Sequence, residues 1–79
     1  MNATLHIEWP GGKRSVHVAD ELSIGRTDAA RFVIDDPGLS RVNNTFFIED
    51  GELFVTDENS LNGTFINDEQ LIGPPRKLR

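Results

Sequence analysis

No window of eleven residues in this chain repeats its apolar side chains at a helical period, which removes helical architectures from the outset. The apolar residues instead fall in short runs cut by Gly, Pro, Asn and Asp. Leu5-His6-Ile7-Glu8-Trp9 alternates apolar and polar, Pro10-Gly11-Gly12 interrupts, and Ser15-Val16-His17-Val18 alternates again. This is the pattern of a hairpin with one buried face. Leu22-Ser23-Ile24 runs into Gly25-Arg26, and Phe32-Val33-Ile34 precedes the turn cluster Asp35-Asp36-Pro37-Gly38. Phe46-Phe47-Ile48 and Leu53-Phe54-Val55 flank Glu49-Asp50-Gly51-Glu52, which puts Asp-Gly where a tight hairpin requires positive φ. A polar loop from Asp57 to Gly63 is followed by a strand at Thr64-Phe65-Ile66 and a turn at Asn67-Asp68. About seven short strands at regular spacing predict an all-β fold, an antiparallel β-sandwich.

The chain has 79 residues, room for a single domain over residues 1–79 with one modest core. A domain of this size buries only roughly 60–65% of the surface its unfolded chain exposes. With no cysteine, neither disulfides nor thiolate metal ligands are available, so side-chain packing must hold the fold. The formal net charge of −5 argues against a general nucleic-acid binder, whose affinity comes from many Lys and Arg residues on phosphates. An anionic ligand would have to be met by a few local cations, for which Arg26, Arg31 and Arg41 are the candidates. No apolar run is long enough to span a membrane, and Met1 to His6 lacks the basic start and apolar stretch of a signal peptide. A soluble, cytoplasmic domain without membrane contact is expected.

The loops carry the more specific signals. In order they hold Gly25-Arg26, then Leu39-Ser40-Arg41-Val42-Asn43, then Ser60-Leu61-Asn62-Gly63-Thr64-Phe65-Ile66-Asn67. This succession, with Val33-Ile34-Asp35-Asp36-Pro37 between and Asp57 before the last loop, resembles the forkhead-associated (FHA) domain family from Leu22 to Leu71. The family pattern is Gly-Arg after an early strand, then Ser-x-x-His, then Asn-Gly-Thr in a later loop. The resemblance implies a module that binds phosphothreonine in partner proteins and is not an enzyme. It makes Arg26 the guanidinium fork on the phosphate, a group of about −1.5 to −2 charge with three acceptor oxygens. Ser40 would donate its hydroxyl, Arg41 and Leu61 their backbone N–H groups, and Asn62 its amide to the extended ligand backbone. Gly25, Asn43 and Gly63 would support the site. No metal or other cofactor is implied.

Three departures from the family pattern stand out. The family's histidine in Ser-x-x-His is Asn43 here, which has a donor and an acceptor but is shorter, so a less firmly held loop is expected. Leu61 replaces a threonine common before the Asn, which removes a hydroxyl that could reach the phosphate. The chain stops at Arg79, where the family continues through strands that close the sandwich. The tail from Leu71 to Arg79, with Pro74 and Pro75 and three basic residues, reads as unable to supply such strands. An unclosed sandwich exposes a strand edge, so the chain is expected either to self-associate through that edge or by strand exchange, or to be a segment of a longer chain that supplies the closing strands.

Other signals read as structural. His6 and His17 sit on expected strands with no carboxylate at metal-ligand spacing. Asp57-x-Asn59 fails as a calcium loop, because Leu61 takes a ligand position and Asn62 the place of the required Gly. No nucleophile, base and oxyanion set can be assembled. The competing functional class is a degenerate FHA scaffold making phosphate-independent protein contacts, a reading that Asn43 and Leu61 favour and the joint presence of Arg26, Ser40 and Asn62 opposes.

Overall fold

Asp50 and Gly51, at φ 52 and 76, form the two-residue turn that the sequence calls for, and the fold is assembled around it. In the computed structural model, which describes residues 3–66 and 68–78, this turn joins β5 (Asn44–Glu49) to β6 (Glu52–Asp57). Glu49 faces Glu52 at the turn and the register runs through Phe46 opposite Val55 to Asn44 opposite Asp57. Because side chains alternate across a strand, Phe46 and Val55 enter the core while Phe47 and Phe54 stack on the other face, ring centroids 5.4 Å apart.

The remaining strands are β1 (Ala3–Trp9), β2 (Gly12–Val18), β3 (Glu21–Gly25), β4 (Phe32–Val33), β7 (Phe65–Ile66), β8 (Glu69–Gln70) and β9 (Arg76–Leu78). A five-stranded sheet has the order β4-β3-β5-β6-β9, and β1-β2 and β7-β8 form two separate two-stranded sheets. Pairing is antiparallel throughout except between β3 and β4, which run parallel over two residue pairs, Ile24 with Phe32 and Gly25 with Val33. The fold is an all-β sandwich, as the spacing of strands predicts. Two strands were not legible in the sequence. β8 is only two residues long, and β9 follows both prolines, so neither pyrrolidine ring interrupts its pairing with β6. The basic residues of β9 remain at the surface by forming ion pairs, Arg76 to Glu69 and Lys77 to Glu52. The tail therefore does supply a strand, contrary to the reading from composition. Of the expected Asn67-Asp68 turn, Asn67 lies outside the described residues, and Asp68 has φ 67.

The core is a single cluster of Val18, Leu22, Ile24, Ile34, Phe46, Val55 and Leu71. Each such side chain contributes about 1.5–3 kcal/mol when fully removed from water. The inward residues of β1, Leu5, Ile7 and Trp9, pack against this cluster, and Trp9 meets Phe32 of β4 edge to face at 6.2 Å. The hairpin is thereby fixed over the five-stranded sheet, leaving the loops after β3, β4 and β6 free to meet.

Candidate functional site

The site begins with a glycine that has no room for a side chain. A Cβ on Gly25 would lie 2.1 Å from the carbonyl oxygen of Arg41 and 2.8 Å from the Cα of Val42. This close approach lets backbone bonds join the loop after β3 to the loop after β4. Arg26 N–H donates to the Ser40 carbonyl at 2.9 Å, Thr27 N–H to the Arg41 carbonyl at 3.4 Å, and Asn43 N–H to the Ile24 carbonyl at 2.8 Å. Arg26, Ser40 and Arg41 are brought together by main chain, independently of what their side chains do.

Asn43 then attaches the third loop. It is only 2% exposed; its Oδ1 accepts from Ser40 N–H at 3.1 Å, and its Nδ2 donates to the Gly63 carbonyl at 3.3 Å and to Thr64 Oγ1 at 3.2 Å. The shorter side chain at this position nevertheless reaches both loops. Thr64 Oγ1 is a hub: it also accepts from Asn44 Nδ2 and donates to Asp57 Oδ1 at 2.7 Å. Asp57 further accepts from the backbone N–H and the hydroxyl of Ser60. Partial burial pushes the Asp57 carboxyl up, but the bonds from the Ser60 and Thr64 side chains and from the Ser60 and Asn59 backbone outweigh it, and its pKa is held below the ordinary value. Gly63, at φ 85, turns the chain back toward β7. The organising roles of Asp57 and Thr64 were missed from sequence. The Asp-x-x-Ser spacing of Asp57 and Ser60 is the one local signal that could have revealed part of this arrangement.

These contacts produce an open depression of about 370 Å³ lined by Arg26, Pro37, Gly38, Leu39, Ser40, Arg41, Leu61 and Asn62. All five residues expected to contact ligand thus line one concavity. Arg31 does not; it lies exposed, its N–H donating to Ser23 Oγ at 2.9 Å. Among the described residues the ion pairs are those of Arg76 and Lys77, and neither Arg26 nor Arg41 takes part in one. In a chain of net charge −5, two unneutralised guanidiniums at one depression favour an anion.

Two polar groups are already engaged. Ser40 Oγ accepts from Leu61 N–H at 2.8 Å, which leaves its own proton to donate but commits the Leu61 N–H. Asn62 Nδ2 donates to the Gly38 carbonyl at 2.8 Å, leaving its Oδ1 and a second N–H. The Leu61 side chain, 89% exposed, stands at this depression.

Comparison with known proteins matches the geometry. No curated protein matches the chain. The crystal structure of Mycobacterium tuberculosis Rv1747 FHA-1 is similar at TM-score 0.68 and 22% identity, over 96% of this chain and 76% of that one. The FHA domain of CT664 protein from Chlamydia trachomatis gives TM-score 0.71 and 20% identity, over 98% and 77%. A third structure, from work on phosphothreonine-dependent FHA domain interactions, gives 0.73 and 23%, over 99% and 78%. At these identities the structures establish the fold. The FHA domain family model matches residues 22–79, well over half of the chain and all three loops of the depression, and the chain belongs to the FHA domain family.

Proposed function

We propose that this domain recognises phosphothreonine in a partner protein through the depression between its three loops. One observation carries the reading: Arg26 and Arg41, both without an ion-pair partner, line the same concavity as the Ser40 hydroxyl and the Asn62 amide. A phosphate entering there exchanges water for charge-assisted hydrogen bonds from the Arg26 fork and a hydroxyl bond from Ser40. Asn62, with its Oδ1 and one N–H uncommitted, grips the main chain of the extended ligand. Gly25, Asn43 and Gly63 hold the three loops in place. The partner is a substrate of a Ser/Thr kinase, met in the cytoplasm, and the domain recruits it without transforming it. FHA domains are binding modules. Among the described residues no helix is long and apolar enough to cross a membrane. Titration with a degenerate phosphothreonine peptide library beside its unphosphorylated twin tests the reading. Binding confined to the phosphorylated library is expected, and equal binding of both overturns it.

A second, phosphate-independent mode of contact is favoured by one feature of the sandwich. β1 pairs only with β2 among the described strands, and His6 to Trp9 of β1 line a hollow of about 540 Å³ together with Phe65 and Ile66 of β7. Phe65 is 56% exposed, and Asn44, whose Oδ1 is buried without a hydrogen-bond partner, lines the same hollow. The outer strands β2 and β9 carry Lys13 and Arg14, and Arg76 and Lys77, charges of the kind that guard an edge; β1 carries no Lys, Arg or Pro. A strand from another copy of this chain adding to β1 satisfies that edge.

A further inference from the structure

Four large apolar side chains are exposed among the described residues: Val33, Leu61, Phe65 and Ile72. Leu61 is the most exposed of them, and it alone lines the basic depression. A solitary exposed leucine is ordinarily unremarked surface. This one differs because its loop is fastened at three successive residues: Ser60 to Asp57, the Leu61 N–H to Ser40 Oγ, and Asn62 Nδ2 to the Gly38 carbonyl. A side chain carried on a loop held in this way loses little backbone freedom when a ligand packs on it. Nor is it isolated, since Pro37 and Leu39 add apolar surface to the same concavity.

The Leu61 N–H is spent on Ser40, so what this residue offers a ligand is its isobutyl group. We infer that the Leu61 side chain is a specificity-determining contact, and that the ligand is a phosphothreonine peptide with an aliphatic residue flanking the phosphorylated position. The inference rests on the phosphothreonine reading and deepens it: the guanidiniums take the phosphate, and the apolar wall selects among phosphorylated sites. An aliphatic side chain laid on Leu61 removes apolar surface of both partners from water, whereas a Ser or Asp there gains nothing. A gain of about tenfold in affinity is the expected size for burying about one half of such a side chain.

The test uses the whole chain and a phosphothreonine peptide library in which each flanking position is set in turn to Leu, Ser or Asp, with phosphoserine and unphosphorylated twins. The parent chain is expected to prefer Leu over Ser about tenfold at one flanking position. Leu61→Ala, which removes the isobutyl group without supplying a hydroxyl to the phosphate, is expected to bring that ratio close to one with the melting curve unchanged, as befits an exposed position. If the parent binds phosphothreonine with no aliphatic preference at any position, or if Leu61→Ala keeps the preference, the inference fails while the phosphate reading stands. If Leu61→Ala changes the ratio of phosphothreonine to phosphoserine instead, Leu61 serves the threonine methyl and the inference is again wrong. If no phosphorylated peptide binds, both fall together.

Discussion

Asn43 Nδ2 donates to Thr64 Oγ1 across 3.2 Å, joining residues twenty-one positions apart in sequence at the back of an open depression. Both are buried, and both have a further partner, the Ser40 N–H for Asn43 and the Asp57 carboxylate at the end of β6 for Thr64. The pair holds the loop of Ser40 and Arg41 against the loop of Asn62, which neither loop does alone.

Replacing Asn43 with Leu keeps the volume roughly constant and removes every polar contact of the side chain. The Ser40 N–H loses its acceptor and the Gly63 carbonyl and Thr64 hydroxyl lose a donor. At about 1–3 kcal/mol for a buried group left unpaired, Asn43→Leu should cost about 3 kcal/mol of stability. Urea unfolding measures it, and phosphopeptide affinity should fall in the same variant. Unchanged stability would mean that these bonds do not hold the loops.

Arg26→Ala should act on binding alone. The side chain is exposed and unpaired by any carboxylate, and the bond to Ser40 belongs to its backbone. Removing the charge partner of a partly desolvated phosphate should weaken phosphopeptide binding by about 2–5 kcal/mol. Calorimetric titration measures it, with a melting curve beside it to show an intact fold. Binding equal to the parent's would displace the phosphate from Arg26.

Asp57 should give the domain an acid-labile component of stability. Unfolded, its carboxyl takes up a proton near 3.8; folded, the bonds from Ser60 and Thr64 hold its pKa lower. Between the two values the unfolded state binds more protons, so stability rises with pH there, is complete above about 4, and is lost as pH falls through the folded value. Denaturant unfolding from pH 6 to 2 should show the parent losing stability more steeply below pH 4 than Asp57→Asn. Parallel curves would show that Asp57 is not held in its charged form.

The free edge of β1 should make the chain associate with concentration. Sedimentation from low to high micromolar concentration should show reversible association. His6→Lys, which places a charge at an exposed position on that strand, should shift the balance toward monomer at the cost of the His6–Ser15 hydrogen bond. A parent that stays monomeric throughout would show that the hollow beside β1 is no pairing site.

By itself the sequence determined the all-β class, the two principal hairpins and the order of loops along the chain, because alternation and turn chemistry are local. Leu5 to Trp9 must lie half-buried in any sheet, and Asp50-Gly51 turns tightly wherever it stands between two apolar runs. Asn43, Asp57 and Thr64 are polar residues near loops until folding buries them together, and their mutual satisfaction cannot be read from any one segment. The same holds for Gly25, whose constraint comes from the Arg41 carbonyl sixteen residues away, and for the parallel pairing of β4 with β3. β9 was illegible for a related reason: a basic tail after two prolines becomes a strand only because β6 presents an open edge and Glu52 and Glu69 stand ready for its charges. Only the tertiary structure decided these features, since long-range hydrogen bonds, close packing and ion pairing exist only once distant segments share one surface.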